Sequence, residues 1–416
     1  MGVYILGAHS IIVDGMIRMS KARSAHGRRR INEADEMKLD VKYLYEVFDE
    51  YLAIEDRTVI DALIGFWLAH RLGPPPVWII LMGPSSDGKT VLLDAFSVID
   101  SVAASKITSK TIISGYTDPA SGKDQKGTSN KFGRELNNKI WVVKDFSQIG
   151  SMRSDDRKEV FAQMRELYDG HIEARYGTGA KVSEQSLYVS FVAASTSDFE
   201  KAYMEQQALG TRHMIVRTTS VNDDKVLQKI RNVRGNEELM KRKLSDAVSN
   251  TLVKEFRPKW VHIPDDIERE LVALTNILRT LRTYVSVDRY TNEVDEIPEI
   301  EGIGRAKKNI DKLYSGLMNI DGISEKRAIA CIEHVVKSNI PRMRLHALKL
   351  IANDPSGVII PANLTDHTKV GMRTAYRHLD SLYALGVIDK QGSEWKQSRY
   401  WLSEEWKRNY AKWFRY

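Results

Sequence analysis

One cysteine, no apolar run of membrane-spanning length and no internal repeat: each of these scarcities narrows the class of this 416-residue chain. The lone thiol, Cys331, cannot build a disulfide framework, and its place in a helical pattern suits a buried thiol in a reducing cytoplasm. No stretch reaches the roughly 18 apolar residues that a membrane span needs, so no membrane partner is expected. Met1 to Ile17 is mildly apolar, but Asp14 interrupts it and no signal-peptide cleavage pattern follows; Met16 and Met19 are alternative starts. A cytoplasmic location is the expectation.

What is present is a hydrophobic content of 42 %, that of a globular protein, in a chain too long for one ordinary core. The net charge of +7 is moderate but clustered, in Lys21 to Arg30 and in the tail from Trp406 to Tyr416. Basic residues interleaved with aromatics suit phosphate contact and base stacking.

The chain reads as four segments. Residues 1–38 lack periodicity and read as a flexible basic arm. In residues 39–222, helical spacing from Val41 to Leu72 ends at Pro74-Pro75-Pro76. Buried-type strands follow at Val77–Met82, Ile140–Val143, Leu187–Ala194 and Met214–Val216, separated by helical stretches. That alternation predicts an α/β fold with a mostly parallel sheet and helices on both faces. Gly115 to Lys131 is polar and reads as a long loop. Residues 223–340 read as almost wholly helical, an all-α lid. In residues 341–416, helices at Leu345–Ala352, Pro361–Thr368 and Val370–Leu385 precede a turn at Gly386–Gly392 and a strand at Lys396–Leu402. Three helices and a hairpin make a winged helix with a basic aromatic tail.

Gly83-Pro84-Ser85-Ser86-Asp87-Gly88-Lys89-Thr90 has the complete GxxxxGK[ST] spacing, entered from an apolar strand and left by the helix Val91–Phe96. Glycines let backbone N–H groups curl around phosphates, and the helix N-terminus adds positive dipole. Lys89 reaches the β- and γ-phosphates, and the Thr90 hydroxyl reaches Mg²⁺. A bound nucleoside triphosphate, ATP with Mg²⁺, is expected. The site needs an acid, and Asp145 follows the apolar strand, either as metal ligand or as catalytic base with Lys144 in the metal acid's place. Ser195 ends a later strand, where a hydroxyl would orient water. Arg212 precedes a buried strand and suits a finger projected into a neighbouring subunit's site.

Between Asp145 and Ser195, a helix from Arg157 to Tyr168 leads into two alternating segments around Gly177-Thr-Gly179, a β-hairpin with Arg175, Tyr176 and Lys181 near its tip. Arg373, Thr374, Arg377 and His378 share one face of the third C-terminal helix, opposite Met372, Ala375, Leu379, Leu382 and Leu385. Such a face suits a major groove or a phosphate backbone.

This order of phosphate loop, acidic strand end, helix, hairpin, Ser195 strand and Arg212 resembles the AAA+ ATPases that carry a hairpin before sensor 1, among them the MCM and superfamily-three helicases. Lys144-Asp145-Phe146 resembles the Asp-Glu-Phe of MCM proteins, and Ser195 stands where they carry the sensor asparagine. Asp145-Phe-Ser147, Tyr168-Asp-Gly170 and Leu209-Gly-Thr-Arg212 resemble a family of ATP-binding proteins of phages and integrative elements. The resemblance implies a homo-hexameric ring whose hairpins grip single-stranded DNA. It makes Lys181 the translocation lysine, Arg212 the finger and Arg305 a nucleotide-contacting sensor-2 arginine. The implied activity is that of an ATP-driven DNA translocase or replicative helicase of a mobile element, working with other replication proteins. An initiator or helicase loader that binds duplex DNA through its winged helix is the alternative, and a regulatory ATPase without DNA a third class.

Overall fold

Five parallel strands, four of them largely buried, form the centre of the molecule. The structure is a computed structural model describing residues 38–104, 107–108, 111, 134–175, 181–197, 199, 212–219, 221–288, 294–392 and 397–415. The chain divides into two units, residues 1–39 and residues 40–416. The expected arm with its Lys21–Arg30 cluster, the 115–131 loop and the hairpin turn with Tyr176 lie outside the described residues.

The helical spacing at 41–72 divides into α1 (Lys42–Tyr51) and α2 (Thr58–Arg71). Asp56 starts the second helix by accepting the Thr58 amide at 3.0 Å. Every residue from Thr58 to His70 is buried, so α2 is buried all round rather than along one stripe. β1 (Trp78–Met82), α3 (Lys89–Phe96), β2 (Ser101–Ala104) and β3 (Lys139–Val143) follow. Next come α4 (Gln148–Ser151), α5 (Ser154–Tyr168) and an antiparallel hairpin of β4 (His171–Arg175) and β5 (Lys181–Gln185). β6 (Val189–Ser195) and β7 (His213–Arg217) complete the main sheet.

The sheet order is β2-β3-β6-β1-β7, all parallel. On one face Trp78, Ile80, Trp141, Val143, Phe191 and Ile215 pack with Val160, Met164 and Leu167 of α5. On the other, α2 docks through His70, whose Nδ1 lies 3.0 Å from Ser190 Oγ.

Residues 223–340 are less uniformly helical than their composition predicts. Helices α6 (Asp223–Val233), α7 (Glu237–Thr251), α8 (Asp265–Leu281), α9 (Ile303–Met318) and α10 (Glu325–Ser338) are separated by non-helical stretches at 252–264 and, where described, 282–302. α7 packs on α1 and α3, whereas α9 packs on α2, and α10 on α2 and β7. The α2–α9 crossing is close because it is built on two glycines. A Cβ on Gly316 would lie 2.1 Å from the Gly65 carbonyl oxygen. At the edge of the sheet the Asn339 side chain takes the place of a strand, accepting from Ile215 N at 2.9 Å and donating to Ile215 O at 3.0 Å.

The C-terminal segment sets α11 (Arg342–Asn353), α12 (Pro361–Thr368) and α13 (Met372–Ala384) against a three-stranded sheet. Its strands β8 (Val358–Ile359), β9 (Ile388–Gln391) and β10 (Arg399–Leu402) run in the order β8-β10-β9. Buried Arg344 ties α11 to the end of α8, donating to Leu281 O at 2.8 Å and Thr283 O at 2.7 Å. The tail corrects one expectation. Trp406, Trp413 and Phe414 are buried, so these rings fill a core and are not offered to nucleic-acid bases. Among the described residues no helix is long and apolar enough to cross a membrane.

Candidate nucleotide-binding site

Parallel strands present their carboxyl ends at one edge, and in open α/β sheets that edge is where ligands bind. Here β1 runs into Gly83–Thr90 at that edge. Ser86 and Gly88 both take left-handed backbone (φ 66° and 73°), curling the loop before α3 starts at Lys89. Gly83 admits no side chain, since a Cβ there would lie 1.9 Å from Thr218 Oγ1. Pro84, Ser85, Ser86 and Thr90 are exposed, while Lys89 is buried. The Lys89 ammonium folds back across the loop, donating to Gly83 O at 3.0 Å and to Pro84 O. Burial pushes its pKa down, and Asp87 opposes that shift.

Backbone bonds tie the neighbouring strand ends to the loop. Gly83 N donates to Ser195 O (3.3 Å), and Phe146 N to Ala194 O (2.8 Å). Because β6 lies between β1 and β3, Ser195 stands between the phosphate loop and the acidic strand end. Its buried hydroxyl is 3.4 Å from Ser147 Oγ, which also accepts the Thr196 amide at 3.1 Å. Asp145 is exposed and accepts the Ser147 amide at 3.0 Å. Ser147, which the motif reading missed, therefore links Asp145 to Ser195.

Sequence reasoning also missed the cavity beside the loop, of about 340 Å³. Ser86, Asp87 and Gly88 form one wall. The rest is mostly apolar, with Ile54, Val59 and Ile60 around the α1–α2 turn, Leu92 of α3, and Val226, Ile230 and Met240 of α6 and α7, but Glu55, Asp56, Lys229 and Glu237 also line it. Its size and apolar lining suit a flat heterocycle. Ala53 and Ile54 of the α1–α2 turn also line the cavity. Residues so far apart along the chain carry no shared motif.

The two arginines are elsewhere. Arg212 opens β7 at the opposite, amino-terminal end of the sheet, paired with Asp169 Oδ2 at 2.6 Å and lying over the Tyr168 ring. Tyr168 in turn packs on Trp78, the first residue of β1. Arg305 pairs with Glu301 at 3.5 Å and acts electrostatically on the Tyr168 hydroxyl. Neither is placed beside its own phosphate loop.

No family model matches the chain, and no curated protein matches it.

The hairpin pairs Arg175 with Lys181 as its outermost described register. On α13, Arg373 and Arg377 are exposed and Thr374 half-buried, over a core of Ala375, Leu379 and Leu382. His378 departs from the expected exposed face. It turns inward, and burial with the charges of Arg377 and Arg344 pushes its pKa down to about 4.

The first position after the apolar strand supplies no ligand for a divalent cation beside Thr90. Directly after the apolar run, where the motif asks for a carboxylate, stands Lys144, with its ammonium 2.5 Å from Asp94 Oδ1. Asp94 lies one turn after Thr90 on α3 and is thus neutralised. Among the described residues no group of three or more His, Cys, Asp or Glu is placed to hold a metal. Asp145 is held by the Ser147 amide at the end of the acidic strand.

Proposed function

We propose that the chain is an AAA+-type nucleoside-triphosphate-binding machine acting on DNA, with its phosphate loop at residues 83–90 and its base pocket between the α1–α2 turn and α6–α7. The observation that carries this is the junction of the two. An apolar cavity of heterocycle size opens directly onto Ser86–Gly88, beside a lysine already folded across the loop. ATP is the expected ligand. Asp145 would accept a proton from water, and Ser195, held through Ser147, would help to orient it.

DNA engagement is supported by the Arg175–Lys181 pair on a hairpin placed immediately before the Ser195 strand and by the exposed Arg373 and Arg377. On this reading the subunits form a homo-hexamer, hairpins line its channel, and hydrolysis at each interface moves single-stranded DNA. The C-terminal segment is then a winged helix contacting duplex DNA. Arg212 and Arg305, at the far end of the sheet from their own loop, would serve a neighbour's site, and Arg212 would leave Asp169 to do so.

Lys181→Ala is expected to leave ATP binding intact and to abolish strand separation and DNA-stimulated hydrolysis, read in a fork-unwinding assay. Arg212→Ala should be inactive alone but complement a Lys89→Ala partner in mixed assemblies. Wild-type protein that binds duplex DNA and separates no strands at any ATP concentration ends the translocase reading. One observation favours a second reading, a nucleotide-gated initiator or loader: Lys144 in place of the acid suits slow turnover.

A further inference from the structure

Lys144 sits within ion-pair distance of α3 one turn from Thr90, and its side chain is 40 % exposed on the side of the sheet where the phosphate loop lies. A lysine at this point is more than the loss of an acid. It adds a positive charge next to the position where a phosphate-binding loop otherwise relies on a cation. Asp94 holds that charge in register from the helix. The strand below it is rigid, since Ile140 to Val143 are buried and paired on both sides. We propose that Lys144, held by Asp94, is a built-in countercharge for the triphosphate, so that this chain binds its nucleotide without a divalent cation.

The inference rests on the nucleotide-binding reading above. It follows from elementary electrostatics. An ammonium and a metal ion placed close together repel, whereas either one offsets the negative charge of the phosphates. Lys89 supplies the first cationic contact and the amides of residues 85–90 the dipolar cradle. Lys144 supplies the second charge from the end of β3, two strands away, a compact ammonium on a flexible stem that turns from Asp94 to a phosphate oxygen.

The test is equilibrium binding of a fluorescent ATP analogue to the full chain, once with Mg²⁺ and once with EDTA. Wild-type affinity is expected to change by less than about threefold between the two, while losing one charged contact in Lys144→Met costs at least about tenfold in EDTA. Lys144→Asp, which restores an acid, should bind only with Mg²⁺. Asp94→Asn/Lys144→Met removes the pair without leaving a lone charge; it should retain the wild-type circular dichroism spectrum and still lose binding in EDTA. If the double variant binds in EDTA like wild type, the pair is structural and the proposal fails. It fails equally if wild-type affinity drops tenfold or more in EDTA. Lys89→Ala should bind under neither condition. Wild type binding under neither condition overturns the nucleotide-binding reading itself, a result distinct from binding that requires Mg²⁺.

Discussion

Asp61 is the most deeply buried ion-pairing carboxylate described in the chain, 1 % exposed in the middle of α2. It is held by Arg327 at 2.7 Å and by the Tyr45 hydroxyl at 2.5 Å. The partners are unequal, because the Arg327 side chain is 39 % exposed and also approaches Asp56 at 3.5 Å. Removing the arginine strands a carboxylate in a dry site, whereas neutralising the carboxylate leaves an arginine that turns to water. Arg327→Ala should therefore cost about 3–5 kcal/mol and Asp61→Asn clearly less, measured by urea unfolding. Equal losses would refute this account of the pair. At this scale legibility was uneven. Lys89, Thr90 and Asp145 were readable because a phosphate loop is a local motif with fixed spacing. Ser147 and the Lys144–Asp94 pair were not, since each acts through a partner on another element. The locations of Arg212 and Arg305 depend on which end of a strand or helix meets Tyr168, and linear spacing does not encode that.

Among the elements, α2 and α9 depend on each other most directly. A methyl group on Gly316 would strike the Gly65 backbone oxygen, while one on Gly65 would meet the movable Leu317 side chain at 2.9 Å. Gly316→Ala should lower stability by about 1–3 kcal/mol, despite alanine's better helix propensity, and Gly65→Ala should cost less. Thermal unfolding of the two variants reads this order directly, and its reversal would show that the helices do not cross as described. The long apolar strands were legible because unbroken apolar runs belong to buried parallel sheets. β2 was missed because Ser101-Val102-Ala103-Ala104 is short, only partly buried and poor in β-branched residues. The helical spacing before β1 hid a break at residues 52–57, and that break builds a wall of the cavity.

For the molecule as a whole, buried histidines set an acid limit. Burial holds His70 and His213 neutral, with pKa values pushed down to about 4 and about 3; for His213 the charges of Arg212 and Arg282 add to the effect. The unfolded chain protonates both near pH 6.5, so between that pH and the folded values the unfolded state binds more protons. Their contribution is fully present above pH 6.5 and is lost as pH falls, on the order of 3 kcal/mol each when titration is complete. The urea midpoint should fall between pH 7.5 and pH 5, and His213→Phe should flatten that slope. A midpoint independent of pH would remove these histidines from the account. The Gly65–Gly316 crossing has a mechanical consequence as well. It joins the sheet's buried helix to α9, and α10 packs on α2 and β7, so these parts form one continuously packed block. α6 and α7 rest instead on α1 and α3 and close one side of the cavity. On the proposed reading, nucleotide-driven motion falls to this flap, and the packed block carries it to the rest of the subunit.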